Sequence, residues 1–150
     1  MPFINKDYVR MKKILIVFFL CIFIVNAAGY SWAVEDDFEP DDTFILAKEI
    51  IVEGEIQYHN FHNPPDEDWV KFNADEGPYG IEAKNLGSNG NVVLEIYDID
   101  GTTLLDEQDT EGDPQADEIL EWDCPSNGIY YVRVKQYEPC SIIDTYCENT

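Results

Sequence analysis

The stretch Val92–Gly101, VVLEIYDIDG, decides the fold. Val92, Leu94 and Ile96 alternate with Val93, Glu95 and Tyr97, so one face is wholly apolar and the other mixed. The β-branched and aromatic content suits a pleated, half-buried surface. Asp100-Gly101 between apolar runs is a two-residue hairpin signal. A helix-loop-helix calcium loop starting at Asp98 fails on two positions. The sixth is Thr103 where glycine is required, and the twelfth is Asp109 rather than Glu. The returning strand is expected over Thr102–Leu105.

The same grammar continues outward. Asp106–Glu118 is an acidic loop with Gly112 and Pro114, read as solvated rather than as a second cation site. Ile119–Trp122 is a strand, and Pro125–Gly128 a turn. Ile129–Lys135 (IYYVRVK) directs Tyr130, Val132 and Val134 to the core and Tyr131, Arg133 and Lys135 outward. Toward the N-terminus, Asn85–Asn91 is loop by composition. Tyr79–Leu86 alternates with Ile81 and Ala83 on one face, and Asp75–Pro78 is a turn. In Asp66–Ala74 (DEDWVKFNA), Val70 and Phe72 oppose Trp69 and Lys71. Ile50–Ile56 reads as a strand bent at Gly54. Tyr58–Pro65 (YHNFHNPP) is a loop carrying His59 and His62. No cysteine or further histidine completes a zinc set, so both are expected as exposed loop side chains. Short strands separated by Gly, Asp or Pro predict an all-β, antiparallel β-sandwich, jelly-roll-like, with about eight strands.

Asp36–Thr43 (DDFEPDDT) precedes the first strand. It holds five carboxylates in seven residues: Asp36, Asp37, Glu39, Asp41 and Asp42. Pro40 biases Glu39 to an extended conformation, so the oxygens converge without a helix. Hard cations take six to eight such oxygens. Charge alone favours a solvated linker.

The first 33 residues read as a secretory signal peptide. Lys6, Arg10, Lys12 and Lys13 precede Ile14–Val25, an apolar run of 12 residues, with Met11 an alternative start. Ser31 and Ala33 then place small residues before a cut at Val34. The run is short of the roughly 20 residues of a membrane span. An uncleaved anchor is the competing reading. Residues 34–43 form an acidic lead-in and 44–150 the sandwich, enough chain for one core. The net charge is −22, and all but one (Asp7) of the 31 acidic residues follow the leader. That argues against nucleic acid and anionic membrane as partners, because both need a basic face.

Glu39-Pro40-Asp41-Asp42-Thr43, Asp66-x-Asp68-Trp69-Val70-x-Phe72 with Gly77, Val93-Leu94-x-x-Tyr97-Asp98-x-Asp100-Gly101 and Gly128-x-Tyr130-Tyr131-Val132-Arg133-Val134 occur in that order. Together they resemble the bacterial pre-peptidase C-terminal domain, a sandwich appended to secreted peptidases and similar to collagenase collagen-binding domains. The resemblance covers almost all of 35–138. It implies a calcium ion held by Asp37, Glu39, Asp41 and Asp42 together with Asp66 and Asp68. Asp41 stands where the family often has Asn. The resemblance also implies a closing strand after the Tyr-Tyr-Val strand, where Pro139–Thr150 (PCSIIDTYCENT) is short. The expectation is a truncated sequence with that strand missing and an exposed edge.

Cys140 and Cys147 are a candidate disulfide, with Cys124–Cys140 the rival pairing; Cys21 leaves with the leader. A cysteine zinc site is disfavoured in an oxidising compartment. No catalytic set is legible: there is no G-x-S-x-G, no H-E-x-x-H and no Cys–His pair. Abundant carboxylates leave a glycosidase-like pair open on sequence alone. The functional expectation is a secreted, extracellular or periplasmic, non-catalytic calcium-binding accessory module of a larger protein such as a peptidase. Trp69 and Tyr131 are candidate contacts to protein or polysaccharide, with burial in the second sheet the competing reading. The alternative is a structural or secretion-assisting domain with no ligand of its own.

Overall fold

A computed structural model describes residues 11–18, 34–62, 66–85, 92–110 and 117–136. Among them are nine strands and no helix. These are β1 (Lys12–Phe18), β2 (Lys48–Glu49), β3 (Gln57–His59), β4 (Glu67–Ala74), β5 (Gly77–Asn85), β6 (Val92–Tyr97), β7 (Leu104–Gln108), β8 (Glu118–Cys124) and β9 (Gly128–Gln136). They form two sheets, in the orders β3-β1-β5-β8 and β2-β4-β9-β6-β7. The fold is all-β and sandwich-like.

The alternation seen in the sequence builds the core. Val92, Leu94 and Ile96 meet Val70, Phe72, Tyr130, Val132 and Val134 from one sheet, and Ile81, Ala83, Leu120 and Trp122 from the other. Aromatic rings lock the centre: Trp122 packs on Tyr130 at 4.7 Å and on Tyr79 at 5.9 Å between centroids. Tilted and edge-to-face contacts of this kind add to the area they bury.

Three features depart from the sequence reading. First, the sheets are mixed rather than antiparallel. β1 runs parallel to β3 and to β5, and β2 parallel to β4. Parallel neighbours need long connections, and β1 is far from both of its partners in sequence. Secondly, β1 comes from the segment assigned to the leader. Its β-branched run KKILIVF places Ile14, Ile16 and Phe18 in the core, 1 %, 0 % and 3 % exposed. Burying these three side chains contributes about 5–8 kcal/mol. The Ser31 and Ala33 positions of the expected cut lie outside the described residues. Thirdly, Ile50–Ile56 is not a strand. The chain turns there, with Gly54 N–H donating to Ile51 O at 2.9 Å and Glu53 at φ 56°. The Gly54 signal outweighed the apolar pattern around it.

The Asp100-Gly101 hairpin forms with a longer loop than two residues. Gly101 N–H donates to Asp98 O, Asp98 N–H donates to Thr103 O, and Tyr97 pairs with Leu104. The returning strand therefore starts at Leu104, two residues beyond the expected Thr102. Asp100 accepts from Thr102 N–H and Thr103 N–H, which holds its carboxyl down to about 2. Gly101 has φ +69°, and a Cβ there would meet Phe44 at 2.2 Å. The hairpin thus seats Phe44, the residue that follows the acidic lead-in.

Candidate metal centre

The lead-in and the loop before Trp69 meet at one end of the sandwich. Two backbone features hold them. Trp69 N–H, on β4, donates to Asp41 O at 3.1 Å. Asp36 accepts from Phe38 N–H at 2.8 Å and from Asn60 N–H at 2.7 Å, tying the lead-in to the segment after β3. The Phe38 ring stacks on His59 at 4.6 Å, and the Phe18 ring lies tilted to the imidazole at 5.9 Å between centroids. His59 is 1 % exposed.

Around these anchors, ligand atoms gather in three overlapping groups: Glu39–Asp41–Asp68, Glu39–His62–Asp66 and Asp36–His59–Asp68. Within each group the ligating atoms lie within 4.8 Å of one another. Asp41 and Asp68 are 0 % and 1 % exposed. Both oxygens of Asp41, one of Asp68 (Oδ2), one of Glu39 (Oε1) and one of Asp66 (Oδ1) are buried without a hydrogen-bond partner. A buried carboxylate oxygen without a partner is costly, and several close together add to that cost.

The electrostatics follow. Burial, then the neighbouring Asp68, pushes the Asp41 carboxyl up to about 8. Burial, then Asp66, pushes Asp68 well above the usual carboxylate range. Glu39 is raised by burial and Asp66, and Asp66 is raised mainly by burial. His59 is held below its ordinary value by burial. Its Nδ1 faces Asp68 Oδ1 at 3.2 Å and Asp41 Oδ2 at 3.6 Å. A proton on Nδ1 lets the neutral ring donate to Asp68 and hold that carboxylate in place, the role an outer-shell histidine plays around a cation.

Of the six expected ligands, Glu39, Asp41, Asp66 and Asp68 come together here. Asp42 is exposed but lies beside Asp66. Asp37 is exposed and belongs to none of the three groups, while Asp36 turns inward instead. His59 and His62, expected as exposed loop residues, are both corrections. Their nitrogens face the carboxylates, and the side chain of His62 is 9 % exposed. Ligand counting by His and Cys alone hid them; their spacing to the acidic pairs was the available signal. These residues could hold a metal ion, by donor type and convergence.

The other candidates lie elsewhere. Trp69 is 6 % exposed, packed with Ala47, Tyr97, Phe44 and Tyr131 on the outer face of its sheet. Tyr131 is half-buried there. Beside them Glu95, 2 % exposed, accepts from Arg133 Nε at 2.6 Å and from Tyr97 Oη at 2.7 Å, with Lys135 Nζ at 2.6 Å. Arg133 also lies over the Trp69 and Tyr97 rings. Cys124 is a buried free thiol whose Sγ donates to Ser126 O. Cys140, Cys147 and the expected missing strand fall outside the described residues. The sequence matches no family profile and shows no significant similarity to a curated protein.

Proposed function

We propose that this chain is a non-catalytic, calcium-binding accessory module, of the kind its resemblance to pre-peptidase C-terminal domains implies. The observation that carries the reading is the group of buried carboxylate oxygens without partners at Glu39, Asp41 and Asp68. Oxygen donors alone make up that group, which suits a hard cation. Glu39, Asp41 and Asp68 would hold the ion, with Asp66 and Asp42 at its margin. Bound calcium would neutralise the oxygens and pin the lead-in to β4. The site holds charge rather than shaping a reaction, and the module would serve a larger extracellular protein by contacting protein or polysaccharide. Burial of Trp69 moves that contact surface away from Trp69 and toward the strand faces around it.

The test is a melt of the full chain with EDTA and with calcium. A ligand that binds only the folded state at 100 times its Kd adds about 2.7 kcal/mol of stability. Calcium should raise the melting temperature of the wild type, and Asp41→Ala should abolish the rise. A melt insensitive to calcium overturns the reading. Retention on insoluble collagen, cellulose or chitin that EDTA removes would identify the polymer. Calcium stabilisation without retention on any of them favours the alternative, a structural or secretion-assisting domain.

A further inference from the structure

We propose that Glu39, His62 and Asp66 form a second site, specific for a borderline transition ion such as Zn2+, beside the all-oxygen group. The donor chemistry separates the two. Glu39–Asp41–Asp68 offers only carboxylate oxygens, whereas Glu39–His62–Asp66 offers one imidazole nitrogen and two carboxylates. A nitrogen and two oxygens are a common zinc donor set, with water completing four-coordination, and imidazole is a poor ligand for calcium.

The geometry favours ligation over a simple ion pair. His62 Nδ1 lies 2.9 Å from Glu39 Oε1 and 2.7 Å from Asp66 Oδ2, the oxygen that also accepts from His62 N–H. Neither contact is a hydrogen bond, and His62 Nδ1, Glu39 Oε1 and Asp66 Oδ1 all lack hydrogen-bond partners while buried. An imidazolium paired with two carboxylates would aim its N–H along one of those contacts. The side chains of Glu39, Asp66 and His62 are 5 %, 2 % and 9 % exposed, so water offers little compensation. Three ligand atoms within 4.8 Å of one another are within reach of one small ion. Bonds of about 2.0–2.2 Å in a tetrahedron space ligands by roughly 3.3–3.5 Å, so the two His62 contacts need to lengthen by about 0.4–0.8 Å. The backbone helps fix the trio, because His62 N–H also donates to Asp66 Oδ2. The two residues are thereby tied together, and Glu39 is the trio's member shared with the Glu39–Asp41–Asp68 group.

The inference rests on the cluster that carries the calcium reading and shares Glu39 with it, but adds His62 Nδ1 and Asp66, and the experiment separates the two. Metal-free full-length protein, saturated with calcium at neutral pH, is titrated with Zn2+ calorimetrically and with Co2+ followed by visible absorption. The expected result is one zinc bound per chain and cobalt d–d bands that zinc abolishes and excess calcium does not. His62→Gln should weaken zinc at least ten-fold and remove the bands while leaving calcium stabilisation within about three-fold in affinity. Asp41→Asn should do the reverse. Histidine-labelled wild-type protein gives a second readout independent of any variant: the His62 imidazole signal should shift on zinc binding and not on calcium binding. Zinc binding unchanged in His62→Gln, calcium competing for the same single site, or a His62 signal indifferent to zinc each overturns the proposal. Zinc binding that survives a failed calcium titration leaves the second site standing and removes the first.

Discussion

Asp41→Asn is the perturbation that exposes the energetics of the site most cleanly, because it removes the ionisable group and leaves the shape nearly unchanged. Asp41 is fully buried, and its carboxyl is pushed from 3.8 up to about 8 by burial and by Asp68. The folded protein therefore keeps a proton that the unfolded chain has already lost. A group raised in the folded state lends stability that is complete below its unfolded value and is lost as pH climbs through its folded value. Glu39, Asp66 and Asp68 are shifted in the same direction. His59 is shifted down, so it works the opposite way, but only below its ordinary 6.5. The clean window is thus pH 6.5 to 8. Over it Asp41 alone withdraws about 2 kcal/mol at 1.4 kcal/mol per unit. For a chain of this size that is a fall in melting temperature of about 4–8 °C. In EDTA, the wild-type melt should fall by at least this much across the window, and Asp41→Asn should fall by that much less. Saturating calcium should flatten the wild-type slope, since the ion replaces the protons. Differential scanning calorimetry in EDTA and in calcium measures both. A wild-type melt that is flat between pH 6.5 and 8 without metal, or a variant with the wild-type slope, refutes the reasoning.

Other consequences follow from particular contacts. Gly101→Ala places a Cβ against Phe44 at a positive φ, so it should cost about 2–4 kcal/mol in chemical denaturation and weaken calcium binding by loosening the lead-in. Arg133→Met leaves the buried Glu95 with only Lys135 and Tyr97; urea unfolding should show a loss of about 2–4 kcal/mol. A chain beginning at Val34 lacks β1 and bares the facing edges of β3 and β5. It should melt well below the full chain, and a synthetic peptide of residues 11–18 added in trans should restore part of the difference.

The strand grammar was legible wherever one face was apolar. Val92–Tyr97, Gly128–Gln136 and Glu67–Ala74 lie as their alternation required, with Val70 and Phe72 inward and Trp69 on the opposite face. Orientation was not legible, because period-two patterns are identical in parallel and antiparallel neighbours. The N-terminal run shows the limit of composition: ILIVF satisfies a leader and a core strand equally, and only its pairing with β3 and β5 reveals the second use. At the site, the acidic clusters announced Glu39, Asp41, Asp66 and Asp68. Asp36 rather than Asp37 turns inward because its carboxylate caps Phe38 and Asn60, a choice made by tertiary contact. His59 and His62 were missed because histidine is commonly exposed in loops, and nothing local shows that Phe38 and Phe18 pack against the first of them.

Calorimetric titration of calcium into the metal-free full chain, repeated in buffers of differing ionisation enthalpy, tests the central claim most directly. If the carboxylates of the lead-in and of the loop before Trp69 jointly take up a cation, binding is saturable, releases protons as pH falls toward 6.5, and is lost in Asp68→Asn. Absence of saturable binding, or binding that Asp68→Asn leaves unchanged, would contradict it.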